Sequence, residues 1–137
     1  MAKILIIDDD QDIIDSLTMV LERHGHTVTS KGDLGSLVDT VKGIHPDLIV
    51  LDIMWPEDSQ AGFKAARVLR KDKHTSKVPI LVLSAVNQRS NLAFGFSESD
   101  TSTEFMPVDA FLEKPVEPKV ILEKIRQLLY PGHTEGR

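Results

Sequence analysis

The 137-residue chain is long enough to bury a single core without covalent staples, and having no cysteine it holds neither disulfides nor thiolate chemistry. Its formal net charge of −5 argues against general nucleic-acid binding, which draws affinity from Lys and Arg on phosphate. Apolar runs last only a few residues against the roughly 20 a membrane-spanning helix requires, and aspartates cut short the apolar start MAKILIID, so a cytoplasmic protein without membrane contact or secretory signal is expected.

Lys3 to Ile7 is a short β-branched run that predicts a strand, and Ile13, Ile14, Leu17, Val20 and Leu21 recur at helical spacing until Gly25 closes the segment. Thr27 to Ser30 reads as a brief second strand. Asp33 is expected to cap a helix carrying Leu34, Leu37, Val38 and Val41, ahead of the His45-Pro46 break. Asp47 to Asp52 is an apolar strand ending in an acid, and after the loop MWPEDSQAG a helix turns Phe63, Ala66 and Leu69 inward. Pro79 precedes the strand Ile80 to Ser84, where a missing N–H is tolerated. Ala110 to Leu112 forms the last strand before Glu117-Pro118 opens a helix that buries Ile121, Ile125, Leu128 and Leu129 and ends at Pro131-Gly132. Residues 87–107, with NQRS, an apolar patch around Gly95 and the polar run SESDTSTE, predict a short or irregular fourth helix followed by a mobile loop. One domain is expected over 1–130, with a flexible tail over 131–137. Five strands alternating with helices, each strand apolar throughout, give an α/β fold: a parallel sheet covered on both faces by right-handed crossovers.

In such a sheet the C-terminal ends of the strands share one edge, where ligands bind near the reversal of strand order. The first strand delivers Asp8, Asp9 and Asp10 to that edge, the third Asp52 and the fourth Ser84, while Lys114 follows the fifth. Like charges ~4 Å apart repel by ~4 kcal/mol at an effective dielectric of ~20, so carboxylates gathered in this way imply a cation. An oxygen-only donor set suits Mg2+, which takes few protein oxygens and keeps water and phosphate. The lysine supplies a point charge for an anion and the serine a hydroxyl donor. Together they describe a phosphate site with its own carboxylate nucleophile. Asp10 is the odd member: it can cap the first helix, and a one-residue shift of register would exchange it with Asp8.

IIDDD, LIVLDIMWP, LVLSA and FLEKPV are weak signals singly, but they stand in order on the right strands. Over residues 3 to 130 they resemble the receiver domain of two-component response regulators. The resemblance implies a flavodoxin-like doubly wound sheet of order 2-1-3-4-5. It makes Asp52 the phosphoacceptor, Asp8 and Asp9 the acidic pair, Ser84 the switch hydroxyl and Lys114 the phosphate-binding lysine. Phe111 matches the aromatic position that turns inward on activation. Mg2+ would be bound directly by Asp9, the Asp52 carboxylate and the Met54 main-chain carbonyl, with Asp8 acting mainly through water. A cis peptide between Lys114 and Pro115 is also implied.

The function so implied is that of a stand-alone response regulator, since no output domain follows residue 130. A sensor histidine kinase or phosphotransfer protein donates a phosphoryl group from phosphohistidine to Asp52, and the altered surface around the fourth helix, fifth strand and fifth helix meets a downstream protein target or forms a homodimer. It is then no turnover enzyme, because it catalyses transfer only to its own Asp52. The alternatives are a phosphorylation-independent binding module, an aspartyl-nucleophile phosphatase, and a flavin or nucleotide binder. The phosphatase pattern wants a second Asp where Met54 stands, and no glycine-rich phosphate loop follows the first strand.

Two loops, after Asp52 and between Ser84 and Lys114, are longer than the family pattern and alter the output face. Trp55 reads as a loop anchor packed on the surface or as a partner contact. Met54 and Val86, two residues beyond Asp52 and Ser84, match positions that in the resembled family influence how water reaches the acyl phosphate; being apolar here, they read either as a sign of slow self-dephosphorylation or as ordinary loop packing. His24 and His26 read as a surface pair rather than zinc ligands, the basic run Lys64 to Lys77 as a solvated helix face, and Ser97 to Thr103 as a hydrated loop.

Overall fold

The computed structural model describes residues 2–53, 55, 61–84, 108–114 and 117–130. Its strands are β1 (Lys3–Ile7), β2 (Thr27–Lys31), β3 (Leu48–Asp52), β4 (Ile80–Ser84) and β5 (Ala110–Glu113). The helices are α1 (Gln11–Arg23), α2 (Leu37–Ile44), α3 (Ala61–Lys71) and α4 (Pro118–Leu129). Every pairing is parallel and the order is β2-β1-β3-β4-β5. The chain steps from β1 out to β2, then returns past β1 and continues in the other direction. This is the flavodoxin-like sheet that the resemblance implies, and the reversal between β1 and β3 is where a ligand crevice forms.

Alternation along the strands divides the core into two layers. Leu5, Ile7, Ile49, Leu51, Ile80 and Val82 share one layer with Leu37 and Val41 of α2 and with Ala66 and Leu69 of α3. Ile4, Ile6, Leu48, Val50, Leu81 and Leu83 share the other with Ile14, Leu17 and Leu21 of α1 and with Ile121 and Ile125 of α4. All five residues of β3 are buried, which is why its sequence reads as an unbroken apolar run. Burial of each Leu or Ile contributes about 1.5–3 kcal/mol. Phe63, Leu128 and Leu129, expected inward, pack against these layers while only partly buried.

Three expectations are corrected. The strands are not all apolar throughout: β2 reads TVTSK and is half exposed, because it is an edge strand with β1 alone beside it. Asp33 does not cap α2. The N-cap is Ser36, in left-handed backbone with no side-chain hydrogen bond, while the Asp33 carboxylate accepts the Gly35 N–H at 2.8 Å and the Lys31 ammonium at 2.9 Å. An aspartate readily accepts an N–H two residues on, and that turn delays the helix to Leu37. The basic run is not all solvated face, since Arg70 turns in to donate to the Ser76 and Val78 carbonyls at 2.8 and 3.2 Å and to the Asp109 carboxylate. Asp109 also accepts the Ile80 N–H at 2.8 Å, tying the start of β4 to the start of β5.

No helix among the described residues is long and apolar enough to cross a membrane. The irregular helix and loop expected over 87–107, the hydrated loop Ser97 to Thr103, the tail 131–137, the Lys114-Pro115 peptide, Met54 and Val86 lie outside the described residues.

Candidate functional site

β1 and β3 pair from Ile4 opposite Leu48 to Ile7 opposite Leu51. One step further along both chains brings Asp8 level with Asp52. Both are almost wholly buried, at 1% and 3% exposure. Asp9 follows at the mouth of the same crevice, and one carboxylate oxygen from each of Asp8, Asp9 and Asp52 lies within 4.8 Å of the others. Lys114, just past β5, reaches across β4 to this group. Its ammonium donates to Asp52 Oδ1 at 3.1 Å and stands 3.2 Å from Asp8 Oδ2. The strand-end acids and the lysine therefore meet, as the sequence predicts.

A family model described as the response regulator receiver domain matches residues 4–126. The chain belongs to this family. PilH of Pseudomonas aeruginosa is 32% identical over 129 residues, covering 94% of this chain and 98% of PilH. The DNA-binding dual master transcriptional regulator RpaA of Synechocystis is 35% identical over 94% of this chain and 49% of its own length. The chain thus spans nearly all of one relative and about half of the other. Among solved structures, the chemotaxis response regulator CheY4 of Vibrio cholerae superposes with a TM-score of 0.75 at 22% identity, over 94% of this chain and 99% of that one. This likeness carries the fold alone.

Within this receiver domain the side chains explain their own placement. Asp10 is the N-cap of α1, in extended backbone, accepting the N–H groups of Asp12 and Ile13 at 3.0 and 3.4 Å. That leaves Asp8 as the inner member of the triplet. Asp8 Oδ1 accepts the Asp10 N–H at 2.9 Å. Asp8 Oδ2 is buried and has the Lys114 ammonium at ion-pair distance but no hydrogen bond. Burial pushes the Asp8 carboxyl above its usual range, and the Asp10 N–H and Lys114 offset only part of this. Burial alone would lower Lys114, yet the charges of Asp52 and Asp8 outweigh it and hold the ammonium above its usual value.

These features pass the test for a hard divalent cation. The donors are all oxygens, acid outnumbers base, and one buried oxygen, Asp8 Oδ2, accepts no hydrogen bond. The Asp8–Asp9–Asp52 cluster of this receiver domain of two-component signalling fits a Mg2+ site. Ser84 closes β4 on the same edge, level with Glu113 of β5; its side chain lies outside the described atoms. Phe111 packs half-buried on the layer shared with α2 and α3.

Trp55 departs from both readings made of it. It is neither a surface anchor nor a partner contact, because at 3% exposure its ring lies in the core layer shared with α2 and α3. Its indole N–H donates to the main-chain carbonyl of Asp52 at 2.8 Å, as a buried tryptophan requires a partner. Its position in a polar loop hid this from the sequence. His24 contacts the Val20 carbonyl at 3.0 Å, and the half-buried His26 accepts the Ala2 N–H at 3.2 Å. Among the described residues neither joins a group of potential metal ligands.

Proposed function

We propose that this receiver domain, spanning residues 1–130, accepts a phosphoryl group on Asp52 in a Mg2+-dependent reaction. The donor is a phosphohistidine on a sensor histidine kinase or phosphotransfer protein. The observation that carries the reading is the convergence of Asp52, Asp8, Asp9 and Lys114 from three separate strand ends on one crevice. A buried carboxylate 3.1 Å from an ammonium is a nucleophile set beside the charge that meets its incoming anion.

A carboxylate oxygen of Asp52 attacks phosphorus in line, the new P–O bond forms an acyl phosphate, and the P–N bond to the donor imidazole breaks with its electron pair returning to nitrogen. Lys114 then exchanges part of its contact with Asp52 for the phosphoryl oxygens. Asp8, Asp9 and Asp52 would hold Mg2+, together with the Met54 carbonyl; when bound it supplies further positive charge to those oxygens. Ser84 follows the phosphoryl group as a hydroxyl donor, and Phe111, half-buried on β5 opposite Val82 of β4, moves inward. The outcome is a changed protein-binding surface rather than turnover of a substrate.

The deciding experiment is incorporation of labelled phosphoryl from a phosphohistidine protein or acetyl phosphate. Wild type is expected to take up label only with Mg2+ present, and Asp52→Asn to take up none. Undiminished labelling of Asp52→Asn would remove Asp52 as acceptor.

A further inference from the structure

The junction leaving β3 is held from two sides. On the sheet side, the carbonyl of Asp52 accepts the Trp55 indole N–H at 2.8 Å, and the Ile53 N–H donates to the Leu83 carbonyl at 3.2 Å. On the helix side, Gly62 in the first turn of α3 lies so close that a Cβ there would stand 2.5 Å from the Ile53 carbonyl oxygen and 2.6 Å from its Cα. The peptide joining Asp52 to Ile53 is therefore fixed in plane and position.

We propose that Trp55 is a positioning residue for phosphoryl transfer, acting through the main chain of Asp52. The inference rests on the reading of Asp52 as phosphoacceptor and adds a residue to it. Filling the core would call for any large apolar ring. Only an N–H on that ring can donate to the carbonyl of the acceptor residue itself, and that bond is made by a side chain 3% exposed. Losing it removes a hydrogen bond from a buried carbonyl and one of the restraints on the 52–53 peptide. Rotation of the 52–53 peptide swings the Cα–Cβ bond of Asp52 and with it the oxygen now 3.1 Å from Lys114. In-line attack tolerates little of this, since a misplacement of ~1 Å costs up to about a hundredfold in rate.

Trp55 is the single tryptophan of the chain, so the N–H can be deleted twice over. Trp55→Phe keeps an aromatic ring, and replacement of tryptophan by benzothienylalanine during expression keeps the full bicyclic shape without the N–H. With acetyl phosphate and Mg2+, both proteins are expected to show a maximal rate of phosphoryl uptake lowered about tenfold, with the half-saturating donor concentration unchanged. A purely structural role would move the urea midpoint of Trp55→Phe and leave the benzothienyl protein's rate within about twofold of wild type, and that result overturns the proposal. The isostere keeps the test decisive if Trp55→Phe fails to fold. Wild type that takes up no phosphoryl group at all would instead remove the acceptor reading, and the positioning role with it.

Discussion

Desolvation at the end of β1 is what holds the Asp8 carboxyl above its ordinary value, with Asp9 adding to it while the Asp10 N–H and Lys114 pull the other way. The folded-state value exceeds the unfolded 3.8, so between the two the native protein binds more protons and stability falls as pH rises through that window. Above the folded value the penalty for an ionised Asp8 is present in full. Asp8→Asn keeps an acceptor for the Asp10 N–H and removes the charge. In chelator at neutral pH it is expected to stabilise the protein, and the gain should vanish below pH 3.8, where Asp8 is protonated in both states. Paired urea unfolding curves from acid to neutral pH check this. Lys114 has the same sign at a higher pH: its raised folded value means its stabilisation is complete below 10.5 and is lost only as pH rises through that higher value.

α3 owes its seat at the site to small residues along its inner face. Gly62, Ala65 and Ala66 are buried, and the first lets the helix backbone approach Ile53 more closely than any side chain permits. Gly62→Ala would gain about 1 kcal/mol of helix propensity, yet its Cβ would strike the carbonyl, Cα and carbonyl carbon of Ile53 within 2.9 Å, and main chain cannot move aside as a side-chain tip can. The overpacking term wins, and a net loss of about 1–3 kcal/mol is expected. Gly43 in α2 is the opposite case: nothing stands within 4 Å of its added Cβ, so Gly43→Ala should stabilise by up to about 1 kcal/mol. Denaturant midpoints of the two variants, shifting in opposite directions, are the measurement.

Across the whole molecule, the order β2-β1-β3-β4-β5 sets acids from β1 and β3 side by side and brings the lysine from 62 residues away in sequence. Unfolding separates them, so a cation at Asp8, Asp9 and Asp52 binds the native state alone. Mg2+ at a hundredfold excess over its Kd should then stabilise the protein by about 2.7 kcal/mol. The urea midpoint of wild type is expected to climb with Mg2+ beyond any shift from NaCl at matched ionic strength, and Asp9→Asn to lose most of the rise. Equal shifts in the two salts would mean screening of the acidic pocket rather than binding.

Local pattern was enough to place the elements and the edge on which chemistry gathers. Apolar runs that stop at Asp8, Asp52 and Ser84, with helical spacing between them, mark the C-terminal ends of parallel strands whatever the distant contacts are. The triplet of aspartates offered a cap among its members but left the register open, and the structure gives that role to Asp10. The turn at Asp33 that displaces the start of α2 is local chemistry, whereas the exposure of β2, the inward turn of Arg70 and the burial of Trp55 were decided by tertiary structure. Each of these three depends on what lies across space: an empty sheet edge, an aspartate ahead of β5, a core layer under α2 and α3. Periodicity encodes which face of an element is apolar, whereas the partner of a polar group is fixed only when strand order and register bring remote segments together.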